Sequence, residues 1–171
     1  MNIDQFKNQR FVFLAASILC AALIGIALYF EHVMGLEPCP LCIFQRVVII
    51  ATGVVCFAAF LQNPAVMARR IYGTLIGLLS ISGIALAGRH LWLQSLPPEK
   101  VPTCGPGLEY LLNVFPLMQV LEFVLKGSGE CAKVSWTFLG ISIPGWTLLI
   151  FIGFLAMSIG LLFTRIYLPR Q

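Results

Sequence analysis

Cys39 and Cys42 form a Cys-x-x-Cys pair within the stretch EHVMGLEPCPLCIFQR, which runs from Glu31 to Arg46. A disulfide that closes so short a loop gains only about 2 kcal/mol of chain entropy, so the pair is a poor staple and its spacing argues for redox use. It falls where a helix should begin, and the backbone N–H groups and positive dipole end of such a start favour a thiolate. Arg46 follows Cys42 by one helical turn, so the three side chains share roughly one face. An arginine in an apolar run costs up to about 3 kcal/mol at the bilayer centre and less where it snorkels to the interface. It is therefore either an interfacial snorkelling residue or a functional cation. In the second case it stabilises the Cys42 thiolate or donates to an electron-rich carbonyl on a bound cofactor.

The elements that must hold these residues are membrane helices. Of 171 residues, 59% are hydrophobic and only 11% charged, and the mean hydropathy is +0.93. That is the composition of a membrane protein rather than of a soluble core. Four runs approach the roughly 20 residues that cross a bilayer: about 11–30, 43–61, 71–87 and 145–163. The first follows Lys7 and Arg10 but is too long for a signal-peptide core and lacks a small-x-small cleavage site, so it reads as a retained helix. The expected fold is an all-α antiparallel bundle of four transmembrane helices, one integral membrane domain over residues 1–171. Gly73, Gly77, Gly83 and Ala87 in the third run suit close helix packing.

Charge gives the orientation. With both termini and the 62–70 loop inside, that side holds Lys7, Arg10, Arg69, Arg70, Arg165 and Arg170 against Asp4 alone, as the positive-inside rule requires. The net charge of +4 is thus an orientation signal, and no basic stripe with interleaved aromatics suggests nucleic acid. The outer loops, about 31–42 and 88–144, then carry Cys39, Cys42, Cys104 and Cys131. Cys20 and Cys56 fall inside the first two runs, where a thiol behaves as a small inert hydrophobe.

The long outer loop opens with SLPPEKVPTCGPG, whose prolines and glycines forbid regular helix around Cys104. After Pro116 the chain suits a short amphipathic helix on the membrane surface. KGSGEC is a flexible approach to Cys131, and Trp136, Phe138 and Trp146 return the chain to the interface. Four outward cysteines raise the possibility of zinc, but structural four-cysteine sites pair two short-spaced hairpins and only Cys39 and Cys42 have that spacing. Cys104 and Cys131 can instead be a structural disulfide contributing about 3 to 4 kcal/mol. Mobile flanks weaken a staple, whereas they suit a pair that must meet a partner's thiolate. His32 and His90, at the outer ends of the first and third runs, are each alone by spacing and read as interfacial histidines.

With CPLC ahead of Arg46, four apolar runs, GSGEC and WTFLGISIPGW, the chain resembles the disulfide bond formation protein B (DsbB) family over nearly its whole length. These are inner-membrane oxidoreductases of Gram-negative bacteria. That a DsbA–DsbB–quinone relay keeps the periplasm oxidising is a known property of that system, not an inference from this chain. The resemblance implies that a DsbA-type thioredoxin-fold oxidase attacks a Cys104–Cys131 disulfide at Cys104. Electrons then pass to Cys39 and Cys42, and Cys42 faces a membrane quinone, ubiquinone or menaquinone, with no metal. Arg46 and His90, which matches a histidine that the family places near the quinone, are the expected cofactor contacts, with His32 a further candidate. Gln45 stands where some members carry an acid. The resemblance also implies a multi-pass protein of the bacterial inner membrane with cytoplasmic termini and periplasmic cysteines. Two rivals stand beside this reading: a bundle that runs as a reductase or reduces a quinone epoxide, and a non-catalytic four-span protein whose cysteines are staples.

Overall fold

Helix α1 (Ile3–His32) is followed by α2 (Pro40–Gln62) and α3 (Val66–Gln94), and α6 (Ile143–Phe163) closes the chain's apolar core. The computed structural model describes residues 3–101, 113–127, 129–134 and 136–163. Among the described residues, four helices are long and apolar enough to cross a membrane: Arg10–His32, Pro40–Gln62, Val66–Gln94 and Ile143–Phe163. A span of 23 residues reaches about 35 Å at 1.5 Å per residue, enough for the hydrocarbon core. Side chains such as Phe11, Val54, Leu78 and Ile152 point outward and exposed, as a lipid-facing surface requires where no water competes for apolar groups.

Short connections force α1, α2 and α3 to run antiparallel in succession. Asn63 ends α2 in the left-handed region (φ 43°) with its N–H on the Ala59 carbonyl, and Pro64 cannot continue the helix. Arg10 ties the same end of α1 to α2, donating to the Phe60 carbonyl at 3.3 Å with its guanidinium over the Phe60 ring. The bundle core takes Phe13, Ala16 and Cys20 from α1, Ile49, Cys56 and Ala59 from α2, Ile76 from α3, and Phe151, Phe154 and Leu161 from α6.

The glycine stripe of α3 is where α6 comes close. Ser158 donates to the Gly73 carbonyl at 2.7 Å, and a Cβ on Gly83 would lie 2.5 Å from the Phe151 ring. Gly83→Val should therefore cost about 1–3 kcal/mol through overpacking, seen as a lowered thermal midpoint in detergent. A second change, Phe151→Leu, should restore part of it. An unchanged midpoint would mean that the two helices can part at no cost.

The described parts of the connection between α3 and α6 cap the end of the bundle that carries Cys39. Helix α4 (Leu117–Lys126) buries Val120 and Val124 against Leu41 of α2, Leu93 of α3 and Cys131. Cys131 lies in a single turn of helix, α5 (Gly129–Ala132). A hairpin of β1 (Thr137–Phe138) and β2 (Ile141–Ser142) leads into α6, pairing Thr137 with Ser142 and Phe138 with Ile141. Its turn residues, Leu139 and Gly140, have φ of 52° and 78°, the sign that a two-residue hairpin turn matching strand twist demands.

Candidate functional site

Cys39 is the N-cap residue of α2, in extended backbone conformation, and Pro40 occupies the first helical position, where its missing N–H costs nothing. The first turn brings Cys42 beside Cys39, whose thiol donates to the Cys42 sulfur at 3.2 Å. Cys39 is 8% exposed. Across from it, α3 presents His90, 2% exposed, with Nε2 3.8 Å from Cys39 Sγ and Nδ1 4.0 Å from Cys42 Sγ. One imidazole thus lies across both sulfurs.

A chain of hydrogen bonds fixes that ring from behind. Gln45, one turn after Cys42 on the same face and buried, places its amide nitrogen 3.3 Å from His90 Nδ1. The Gln45 oxygen accepts from the Thr147 hydroxyl at 2.7 Å, and that hydroxyl also lies 2.9 Å from the Pro144 carbonyl. In this arrangement Gln45 donates to Nδ1, which leaves the imidazole proton on Nε2, facing Cys39. Thr147 is 102 residues from Gln45 and carries no sequence signal of its own. Gln45, noted in the sequence as standing where some family members carry an acid, sits one turn beyond Cys42.

Arg46 crosses from α2 to α1. It forms an ion pair with Glu31 and donates to the Ala27 carbonyl at 3.2 Å, the two charged side chains being 22% and 30% exposed. A cation at the edge of the bilayer needs such partners to offset its desolvation. Glu31, fifteen residues before Arg46, was not singled out by spacing.

These groups converge on a cavity of about 700 Å³. Its walls are apolar, from Leu23 and Ile24 of α1, Ile49 of α2 and Ile150 of α6. Cys39, Cys42, Gln45, Arg46, His90 and Thr147 bring sulfur and polar atoms to it, and Phe30, Trp136, Phe138 and Trp146 line it with aromatic rings. Phe30 and Trp136 have ring centroids 4.9 Å apart, and Trp136 stacks on Phe138. Trp146 holds the hairpin by donating to the Phe138 carbonyl at 3.2 Å.

Of the other expected site residues, Cys131 is buried in one cluster with Cys39, Leu41 and Leu93. Cys104 lies outside the described residues. His32 is the exposed last residue of α1 and does not line the cavity. Cys20 and Cys56 are buried in the bundle core, where Cys20 packs on Gly53. Among the described residues, the metal-ligating types that meet are Cys39, Cys42 and His90, with donor atoms within 4.8 Å of one another, and the third arrives from a different helix.

Comparison with known proteins finds a match to the family model "Disulfide bond formation protein DsbB" over residues 9–161. Among similar proteins, a disulfide bond formation protein B of Marinobacter nauticus is 47% identical over 164 residues, covering 96% of this chain and 97% of the relative. One of Hahella chejuensis is 51% identical over 150 residues, 88% of this chain and 91% of the relative. One of Acinetobacter baumannii is 52% identical over 149 residues, 85% and 87%.

Proposed function

Because this chain belongs to the DsbB family of disulfide bond formation proteins and is a membrane disulfide oxidoreductase, we propose that it reoxidises a periplasmic DsbA-type dithiol oxidase. The electrons pass through Cys104 and Cys131, then Cys39 and Cys42, to a membrane quinone. The observation that carries this reading is the cavity where the Cys39–Cys42 dithiol, Arg46 and His90 meet.

The cavity suits a quinone. Its volume of about 700 Å³ lies within the usual range for small-molecule sites, its walls accept an apolar ring and tail, and its donors are grouped at the end that holds the dithiol. Bound there, a quinone supplies the two-electron acceptor for that dithiol. Arg46, anchored by Glu31, is placed to donate to an oxygen that gains negative charge, the role such preorganised donors serve best in a water-poor site. Closing the Cys39–Cys42 disulfide releases two electrons and two protons, all of which a quinone held there would take up on becoming a quinol. His90, within 4.0 Å of both sulfurs, takes up a thiol proton. The Gln45 amide can turn with it, its oxygen then accepting from Nδ1–H while its nitrogen donates to Thr147, whose own proton goes to the Pro144 carbonyl.

The burial of Cys131 in one cluster with Cys39 supports the order of exchange. A partner thiolate attacks Cys104 of a Cys104–Cys131 disulfide and frees Cys131. Cys131 attacks Cys39 and frees Cys42 on the cavity side. The partner's second thiolate displaces Cys104, which then attacks Cys131, leaving the partner oxidised and the Cys39–Cys42 pair reduced. The charge distribution supports cytoplasmic termini in a bacterial inner membrane, with these cysteines at the periplasmic face.

The decisive experiment is quinone reduction by the purified protein in detergent, with a reduced DsbA-type oxidase as donor. Turnover should be lost to background in Cys42→Ser. Undiminished turnover in that variant would remove the dithiol from the path. No turnover by the unaltered protein, with all its disulfides resisting the donor, would favour a stapled structural protein.

A further inference from the structure

The reduced Cys39–Cys42 pair and His90 have the donor set and the geometry of a three-ligand site for a thiophilic cation. Sγ of Cys39 and Sγ of Cys42 lie 3.2 Å apart, Nε2 of His90 lies 3.8 Å from Cys39 Sγ, and the donor atoms of all three residues lie within 4.8 Å of one another. Zinc bonds of about 2.3 Å to sulfur and 2.0–2.1 Å to nitrogen at tetrahedral angles put two sulfurs roughly 3.8 Å apart and a sulfur and a nitrogen roughly 3.6 Å apart. The Cys39–His90 distance is within a few tenths of an ångström of that spacing, the two sulfurs need to part by about half an ångström, and the Cys42–His90 edge needs to close by at most about an ångström. Cys39 sits in the extended N-cap position rather than inside the helix, so a rotation of its side chain provides the change.

The surroundings complete the case. A ligating histidine gives one nitrogen to the metal and its other N–H to a fixed acceptor, which sets tautomer and ring orientation. Here Gln45 faces Nδ1 at 3.3 Å. With its amide turned, the Gln45 oxygen accepts from Nδ1–H, and its nitrogen donates to Thr147, which keeps the Pro144 carbonyl as its own acceptor. The Nε2 lone pair is then released toward Cys39. All three ligands line the same cavity, which leaves the fourth position to a water or anion entering from it, as in three-ligand zinc sites.

The geometry points to a site at Cys39, Cys42 and His90 that captures a soft divalent cation of the zinc type in the reduced protein alone. Binding exchanges the two thiol protons for the cation and moves no electrons, so a chelator reverses it. Oxidation to the disulfide removes both thiolates and with them the site. One consequence rests on the proposed function: a cation that holds both sulfurs blocks transfer of their electrons, so zinc should inhibit only after a donor has reduced the pair.

The binding test needs neither quinone nor partner, so its failure is distinct from failure of the proposed function. The full chain in detergent is reduced, freed of reductant without air, and titrated with Co²⁺ as the spectroscopic substitute for Zn²⁺. One Co²⁺ per chain is expected, with thiolate-to-cobalt charge-transfer bands and the intense d–d absorption of a tetrahedral ion, and none in the oxidised protein. That comparison requires no mutant. Cys39→Ser should lose the charge-transfer bands, His90→Ala should weaken binding by at least about tenfold, equivalent to about 1.4 kcal/mol, and Cys131→Ser should keep the site. Equal binding to oxidised and reduced protein, bands that survive Cys39→Ser, bands that vanish only in Cys131→Ser, or no binding by the reduced chain would each overturn the assignment.

Discussion

Arg46→Ala should raise the apparent KM for quinone by roughly 10- to 100-fold, the loss expected when a hydrogen bond from a charged donor worth about 1.5–3 kcal/mol is removed. The guanidinium reaches the cavity from α2 and is held by Glu31 and the Ala27 carbonyl of α1. It is therefore fixed before any ligand arrives, and little of its binding energy is spent on ordering the side chain. Arg46→Lys should fall between the two, because an ammonium keeps the charge but cannot hold Glu31, the carbonyl and a quinone oxygen with one planar fork. Glu31→Gln separates anchoring from contact: it leaves the guanidinium in place with a weaker partner, so its effect on KM should be smaller than that of Arg46→Ala. Steady-state kinetics against quinone concentration with a saturating thiol donor measures all three. Unchanged KM in Arg46→Ala would reduce the residue to an interfacial cation paired with Glu31.

The four spans and the Cys39–Arg46 segment were legible in the sequence for physical reasons. Long apolar runs have few uses outside a bilayer, and a Cys-x-x-Cys pair at a helix start is chemically distinctive. His90 was harder to place. Gly88, Arg89 and His90 read as an interface, because a charge there normally ends a span. In the folded chain Arg89 lies over the Trp92 ring, 4.1 Å from its centroid, and the helix continues to Gln94. The outer turns of α3 are covered by Val120 and Val124 of α4 and by Cys131, so the histidine faces the protein interior and the cysteines. No local pattern reports a partner brought by a helix fifty residues away. Thr147 and Glu31 escaped notice for the same reason, since each gains its role only through a long-range pairing. The hairpin before α6 was hidden by Leu139, a residue that rarely adopts positive φ and carries no turn signal. The small residues of α3, by contrast, declared their packing face, and α6 lies against them.

Cys104→Ser should abolish oxidation of a DsbA-type partner while sparing the inner pair, the sharpest separation this chain offers. The serine removes the sulfur that the partner must attack, and no electrons then enter the relay from that side. Cys39, buried in the cluster with Val120 and Val124 of α4, and the half-buried Cys42 packed against it both line the cavity and keep their own chemistry. A small membrane-permeable dithiol should therefore still drive quinone reduction in Cys104→Ser, and Cys42→Ser should stop it. Cys131→Ser gives the complementary result. It leaves Cys104 without its disulfide partner, so a DsbA-type protein whose second cysteine is replaced by serine and whose first is capped as a mixed disulfide with a small thiol should be captured by Cys104, which displaces the small thiol, in a complex visible on a non-reducing gel and absent in Cys104→Ser. The proposed roles of the two cysteines accord with the burial of Cys131 in one cluster with Cys39, which encloses its sulfur on the side of the inner pair. If Cys104→Ser retains partner turnover, or if that variant forms the mixed disulfide through its remaining Cys131, the two cysteines act in the reverse of the order proposed.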